Sequence, residues 1–418
     1  MRFLFRYARG RRGRLAALLA VLGPGIVAAN AGNDAGGIAT YASVGARYGY
    51  DLLWMMVVIT VSLVVVQEMA ARMGVVTGKG LADLVREQYG VRWALFATGS
   101  VLVANLGICI SEFVGIGAAL GLAHVPVLLS VPVAAIAVWV LLVRGTYRMA
   151  ERIFVAMTIP FFAYPIAAVL AHPHWGSVGK AVVAPHIQTS PSYVLLFVAT
   201  AGTTITPFMQ LYLQSAVVER GLGPEDLGRE RAEVVYGSIF ANLVASFIII
   251  ATAATLFVHG HRTVDTAAQA ARALAPFAGR FAEVLFAVGL LGASLLAAAV
   301  LPVTAAYVIS ETFGFEKGIS RSPREAPVFV GVVTALVVIG AAVAVIPGIP
   351  VFRLLVGVQA VNGVLLPITL FFVWRLSASE ELMGRRKNGR VFNVVAGATV
   401  VATSALSVIL LVVTLLGV

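Results

Sequence analysis

Residues 28–40 read Ala-Ala-Asn-Ala-Gly-Asn-Asp-Ala-Gly-Gly-Ile-Ala-Thr and interrupt an apolar stretch, 15–45, that is otherwise long enough to cross a membrane. An acid at bilayer depth costs about 2.5–3.5 kcal/mol even on lenient insertion scales. Glycines there also loosen a helix that must satisfy its own backbone. A chain tolerates both when the carboxylate and the freed carbonyls have something to hold, most simply a cation. Asp34 is therefore the residue to explain.

Composition sets the frame around this stretch. Of 418 residues, 60% are apolar and 12% charged, which describes an all-α polytopic membrane protein rather than a soluble enzyme. Stretches of spanning length give eleven transmembrane helices, near 15–45, 51–70, 93–121, 125–144, 150–171, 193–218, 233–258, 283–311, 326–346, 350–376 and 391–416. No soluble domain is left over, so residues 1–418 form a single transmembrane domain. The net charge of +11 could suggest nucleic acid, but its distribution points to the lipid bilayer. With the N-terminus cytoplasmic, 24 Lys and Arg fall on that side; the opposite side keeps only Arg47, Lys180, Arg262, Arg272, Arg280 and Arg353. That asymmetry is the positive-inside rule and predicts a multi-pass protein of the cell membrane, N-terminus in. The basic tail, 1–14, could also touch anionic lipid. The single Cys109 excludes an intrachain disulfide.

Two spans are broken in the middle. The first breaks at Asn30–Gly37, and the sixth around Thr203–Gln210, where Gly202, Thr-Thr-Ile-Thr and Pro207 fall together. Proline removes a backbone hydrogen bond, so carbonyls are freed at mid-depth. Spans one and six hold corresponding positions in two five-helix halves, 15–171 and 193–376. An odd number of spans separates them, so the halves run in opposite directions. This predicts inverted repeats with a site at their interface, and makes 391–416 an extra helix.

Few polar side chains lie deep in these spans. Glu68 is four residues before Arg72, the spacing of a helical ion pair. Glu112 has no partner nearby in sequence and reads either as a hydrogen-bonded structural acid or as part of a proton route. Near Asp34 the sixth span offers Thr203, Thr204, Thr206 and Gln210, with Met209 as the only thioether; the tenth offers Gln359 and Asn362. Each amide alone could be an interhelical hydrogen bond. Together with Asp34 they make an oxygen-rich site with one fixed negative charge, suited to hard divalent ions. The six histidines all fall on or next to the outward loops.

At these residues the chain resembles the Nramp family of divalent-metal transporters over nearly its whole length. Gly23-Pro24-Gly25 followed by Asp34-Ala35-Gly36-Gly37-Ile38-Ala39-Thr40 is similar to that family's first-helix Asp-Pro-Gly-Asn-Trp-Ala-Thr. Ala71 through Lys79 resembles its loop after helix two, Leu211 through Ser215 the run after its helix-six break, and Gln359 through Pro367 its helix-ten Gln…Leu-Pro. The resemblance implies a LeuT-like 5+5 inverted repeat working by alternating access. It implies a metal held by Asp34, the Ala31 carbonyl, helix six and Gln359.

The departures point to one branch. The family's helix-one Asn ligand is Gly37 here. Its helix-six Met-Pro-His reads Thr206-Pro207-Phe208, with one extra residue before Leu211. Anchored at Pro207, the thioether ligand has become Thr206 and the neighbouring carbonyl that of Thr203. Anchored at Leu211, those positions are Pro207 and Thr204. Met209 supplies the sulfur only if the extra residue rotates it inward. Cys109 replaces the first acid of the helix-three pair, Glu112 is retained, and the helix-six His is absent. These losses resemble the Nramp-related magnesium transporters. Mg²⁺ keeps several waters and needs one or two carboxylates, and the small residues leave room for those waters.

The expectation is a carrier importing Mg²⁺ together with Mn²⁺, without a requirement for proton coupling and with no resident cofactor. A proton-coupled Mn²⁺/Fe²⁺ importer is the alternative, with Glu112 on the proton route and Met209 as ligand. A sodium-coupled amino-acid symporter is disfavoured because Asp34 would repel a carboxylate substrate. No paired acids or His/Cys cluster supports an enzyme. No particular oligomeric state is implied.

Overall fold

The computed structural model describes residues 29–145, 149, 153, 156, 162–271, 282–319 and 321–416. Residues 1–28, with the basic tail and Gly23-Pro24-Gly25, and most of 150–161 in the fifth expected span lie outside the described residues.

Helix α1 (Ala35–Tyr48) follows the first break and α2 (Leu53–Thr77) stops at Gly78, which takes the left-handed conformation a helix end favours. Then come α3 (Val91–Gly121), α4 (Val127–Arg144) and the short α5 (Ala163–Leu170). The sixth span is two helices, α6 (Pro191–Thr204) and α7 (Pro207–Glu219). The second half continues with α8 (Leu227–Thr252), α9 (Ala282–Phe313), α10 (Pro327–Ala344) and α11 (Val351–Ser377), and α12 (Arg390–Leu416) closes the chain. Among the described residues nine stretches are long and apolar enough to span a membrane, α6–α7 counting as one. They match nine of the eleven expected spans; the other two are the ones that run outside the described residues.

Proline placement explains three helix starts. Pro191, Pro207 and Pro327 each open a helix at its first turn, where the missing N–H is an orphan anyway. At Pro207 the same residue ends α6: Ile205 and Thr206 leave helical geometry, with Thr206 extended at φ −73°, ψ 142°.

Burial sorts the helices into an inner group and a rim. The α6–α7 stretch is 83% buried, whereas α12 buries only 22% and α4 and α10 a third each. The broken span is therefore central and α12 lies against the outside, packed on α11 and α6. Inside, α3 packs on α9, α6 on α11, and α2 on both α7 and α8. Helix α1 is lodged among α6, α8 and α11. Its closest approach is to α8, where Gly45 lies so near Thr252 Oγ1 and the Ile249 carbonyl that a Cβ would collide with both. Just beyond Thr252, α8 passes into a single π-helical turn, Ala253–Phe257.

The expected Glu68–Arg72 pair forms at 3.1 Å, buried. It is the centre of a larger knot. Arg231 at the start of α8 donates to the other Glu68 oxygen at 2.6 Å, and Arg72 reaches the Arg386 carbonyl and Asn388 in the segment after α11. Nearby, buried Glu311 at the end of α9 accepts from Ser215 of α7 at 2.7 Å and from the Ala82 amide at 3.2 Å, and pairs with Lys317 at 3.3 Å. Lys317 in turn holds Asp83 at 2.6 Å.

Candidate ion site at two helix breaks

The chain leaves helical geometry at residues 31–34 and resumes it at Ala35, so Asp34 becomes the N-cap of α1. Its Oδ1 accepts from the Gly37 amide at 2.6 Å. A carboxylate at this position meets unsatisfied N–H groups and the positive end of the helix dipole, both of which favour its negative charge. Asp34 is fully buried.

Helix α11 brings Gln359 over the same carboxylate. Its Nε2 donates to Asp34 Oδ1 at 2.9 Å and Oδ2 at 3.0 Å. Asn362, one turn on, donates to the Gly202 carbonyl at 2.7 Å and weakly to Gln359 Oε1 at 3.4 Å. Gly36 makes this overlap possible, because a Cβ there would strike the Gln359 amide.

The sixth-span break faces this group. Thr203 Oγ1 donates to the Gly32 carbonyl at 3.2 Å. Thr204 instead donates to the Thr200 carbonyl at 2.6 Å and meets the Tyr41 hydroxyl at 2.9 Å. Thr206, buried, leaves its hydroxyl without a hydrogen-bond partner. Gln210 turns its side-chain amide back on its own helix, toward the carbonyls of Thr206 and Pro207. Met209 sets its terminal methyl against the first break, where a Cβ on Gly32 would collide with it.

Gly37 is the position where the resembled family carries an Asn ligand. Here a Cβ at Gly37 would come 2.6 Å from the Gly32 carbonyl and 2.9 Å from Thr203 Oγ1. The space an Asn would need is filled, and Gly37 contributes its backbone N–H to Asp34 instead. Ala31 lies in the turn that the break opens.

Two further side chains adjoin this group: Glu112, already a candidate from sequence, and Gln67, which was passed over there. Glu112 of α3 is fully buried and accepts from the Ala35 amide at 3.1 Å, one residue from Asp34, and from Ser111 at 3.3 Å. Gln67 of α2, also fully buried, donates to Met209 Sδ at 3.6 Å. Gln67 carries the signal that singled out Gln359, an amide inside an apolar run, but it stands beside Glu68 and reads as part of the ion pair there. The histidines expected on loops are exposed and remote. Among the described residues no three His, Cys, Asp or Glu side chains converge as a metal cage. The charge at the breaks is thus Asp34, with Glu112 behind it.

Two interrupted helices facing each other across a buried carboxylate, in a bundle of membrane-length spans, define a LeuT-like membrane transporter. The Natural resistance-associated macrophage protein-like (Nramp) family model matches residues 25–413. The chain belongs to that family; it is a multi-pass divalent-metal transporter and not an enzyme. Its sequence is 31% identical to the divalent metal cation transporter MntH of Ralstonia nicotianae, over 91% of this chain and 87% of the relative. It is 30% identical to the MntH of Verminephrobacter eiseniae, over 96% and 91%. The fold is similar to the crystal structure of the Eremococcus coleocola manganese transporter, with a TM-score of 0.76, 22% identity and coverage of 96% and 87%. It is also similar, at TM-score 0.63 and 12% identity, to MhsT in complex with L-phenylalanine, over 93% of this chain and 97% of that one.

Proposed function

We propose that the chain carries Mn²⁺ and Mg²⁺ across the cell membrane toward the cytoplasm, binding them between the two breaks. The observation that carries this reading is the buried Asp34 carboxylate, held under the Gln359 amide, with the Met209 methyl set against Gly32 of the same break. Asp34 supplies the charge. Gln359 turns its amide over to present Oε1 to the ion, a rotation for which Asn362 is the neighbouring hydrogen-bond partner. The Ala31 and Thr203 carbonyls and the Thr206 hydroxyl complete the shell or hold its waters.

Met209 alters the balance expected from sequence. Its methyl meets the first break; once the adjoining sulfur turns to the ion, the shell is not purely oxygen, and a soft donor favours Mn²⁺ over Mg²⁺. The oxygen majority keeps Mg²⁺ as a competing substrate. With the N-terminus in the cytoplasm, an inside-negative potential drives uptake: about 2.3 kcal/mol per charge per 100 mV, hence about 4.6 for a divalent ion.

Initial rates of Mn²⁺ uptake into proteoliposomes, with Mg²⁺ and Ca²⁺ as competitors, test the assignment. Asp34→Ala abolishes flux. Met209→Leu lowers the preference for Mn²⁺ over Mg²⁺, and Thr206→Met raises it. Unchanged flux in Asp34→Ala would overturn the site, and an unchanged ion ranking in both other variants would overturn the sixth-span ligands.

A second reading, proton-coupled Mn²⁺ import, is favoured by one contact: Glu112 accepts from the amide adjacent to Asp34. An acid placed there senses whether the site holds a cation. A pH dye inside the vesicles separates the two, since proton influx that tracks Mn²⁺ and vanishes in Glu112→Gln belongs to the second reading alone.

A further inference from the structure

The Met209 sulfur already has a hydrogen-bond partner. On the side away from Gly32 it accepts from Gln67 Nε2, and the same Gln67 carries a buried carbonyl, Oε1, with no hydrogen-bond partner. Thioether sulfur is a weak acceptor, and an amide has better partners almost anywhere else. A buried amide held on sulfur with its oxygen unpaired is a costly arrangement. That cost makes sense if the carbonyl is kept for another partner.

We propose that Gln67 is a specificity-determining residue for the transported ion: its N–H occupies the Met209 sulfur while its carbonyl offers a hard oxygen to the ion's water shell. The inference rests on the reading of Asp34 and Met209 as parts of the ion site. An ion binding through sulfur shares its electron density with the Gln67 N–H or displaces it, so soft ions bind against a competitor. A hydrated hard ion has no such competitor and gains an acceptor for one of its waters. The pair Gln67–Met209 thereby damps the advantage that one sulfur would otherwise give to soft metals. It keeps an oxygen-rich site open to Mg²⁺ despite the thioether.

Gln67→Leu removes both the competitor and the acceptor at similar volume. In the purified full-length protein, titration calorimetry with Cd²⁺ as the soft probe and Mg²⁺ as the hard one reads the change directly. Competition of the same ions in Mn²⁺ uptake gives the second readout. The ratio of Cd²⁺ to Mg²⁺ affinity rises about tenfold, the lower end of what losing an outer-shell partner does to a metal site. The rise is much smaller in a Met209→Leu background, because the sulfur it depends on is gone. Gln67→Ala, without an N–H and adding no sulfur, gives the same direction and serves if the leucine variant does not fold.

An unchanged ratio in the folded Gln67 variants, or the same change with and without Met209, overturns the assignment. The underlying site reading fails differently. If Asp34→Asn retains Cd²⁺ binding, the ion does not sit at the breaks. If Asp34→Asn loses it while the Gln67 variants match the parent, only the role of Gln67 falls.

Discussion

The Gln359 amide nitrogen lies 2.9 and 3.0 Å from the two carboxylate oxygens of Asp34, across 325 residues of sequence. One amide thus bridges both oxygens of the single acid at the breaks. It caps the carboxylate. On the function proposed above, the two residues must part before an ion binds between them.

Removing the bridge separates these two roles. In Gln359→Leu the carboxylate keeps the Gly37 amide but loses its side-chain donor and the oxygen that would meet the ion. Mn²⁺ affinity falls by about 100-fold or more, beyond the 10- to 100-fold range of a lost outer-shell partner, while Asp34→Asn removes binding altogether. Calorimetric titration of the two variants in detergent checks the order.

Gly37→Asn is a test of how this chain differs from the family it belongs to. Restoring the family's Asn does not restore a ligand here, because its Cβ would press on the Gly32 carbonyl and on Thr203. Overpacking of that kind costs about 1–3 kcal/mol, so the melting temperature falls. Thr203→Ala in the same chain recovers part of the loss, since one of the two obstacles is gone. Thermal melts of the single and double variants measure it.

Arg72→Met breaks the buried knot between α2, α8 and the segment after α11. Loss of one partner from a buried pair costs about 3–5 kcal/mol. The lower figure applies here because Arg231 still neutralises Glu68. The double variant Glu68→Gln/Arg72→Met is destabilised by less than the sum of the two single changes. A double-mutant cycle on thermal stability reads the coupling.

Lys317 gives a pH dependence whose sign is fixed. Burial alone pushes its ammonium down, but Glu311 and Asp83 outweigh burial and hold it above the ordinary lysine value. A group whose folded value is raised contributes stability that is complete below its unfolded value, about 10.4, and is lost as pH rises through the folded one. Between pH 7 and 9 the gap in melting temperature between parent and Lys317→Met is therefore constant. It closes only above about pH 10. A gap that narrows between pH 7 and 8 contradicts the assignment.

The parts of the site that were legible in sequence are those where a polar residue stands alone in an apolar run. Asp34 and Gln359 are of this kind, and they meet. The Glu68–Arg72 pair follows from helical spacing alone, although the reach of Arg72 to Asn388 does not. The sixth-span break was legible as a place but not as a register. Whether Thr206 or Met209 meets the first break depends on how far Ile205 and Thr206 turn the chain between α6 and α7, and backbone angles of two non-helical residues leave no periodic trace. Gly37 illustrates the opposite limit. The missing side chain is plain from sequence, yet the carbonyl that forbids one comes from five residues earlier, folded back by the break itself.

The contact at Gly45 bears on what can move. With no side chain on α1 at Gly45, its backbone rests directly on Thr252 and the Ile249 carbonyl of α8, and the two have no lubricating layer across which to slide. Any swing that unseals the far side of the bundle carries both as one lever. Its fulcra are the non-helical residues 31–34 at one end and the widened turn Ala253–Phe257 at the other.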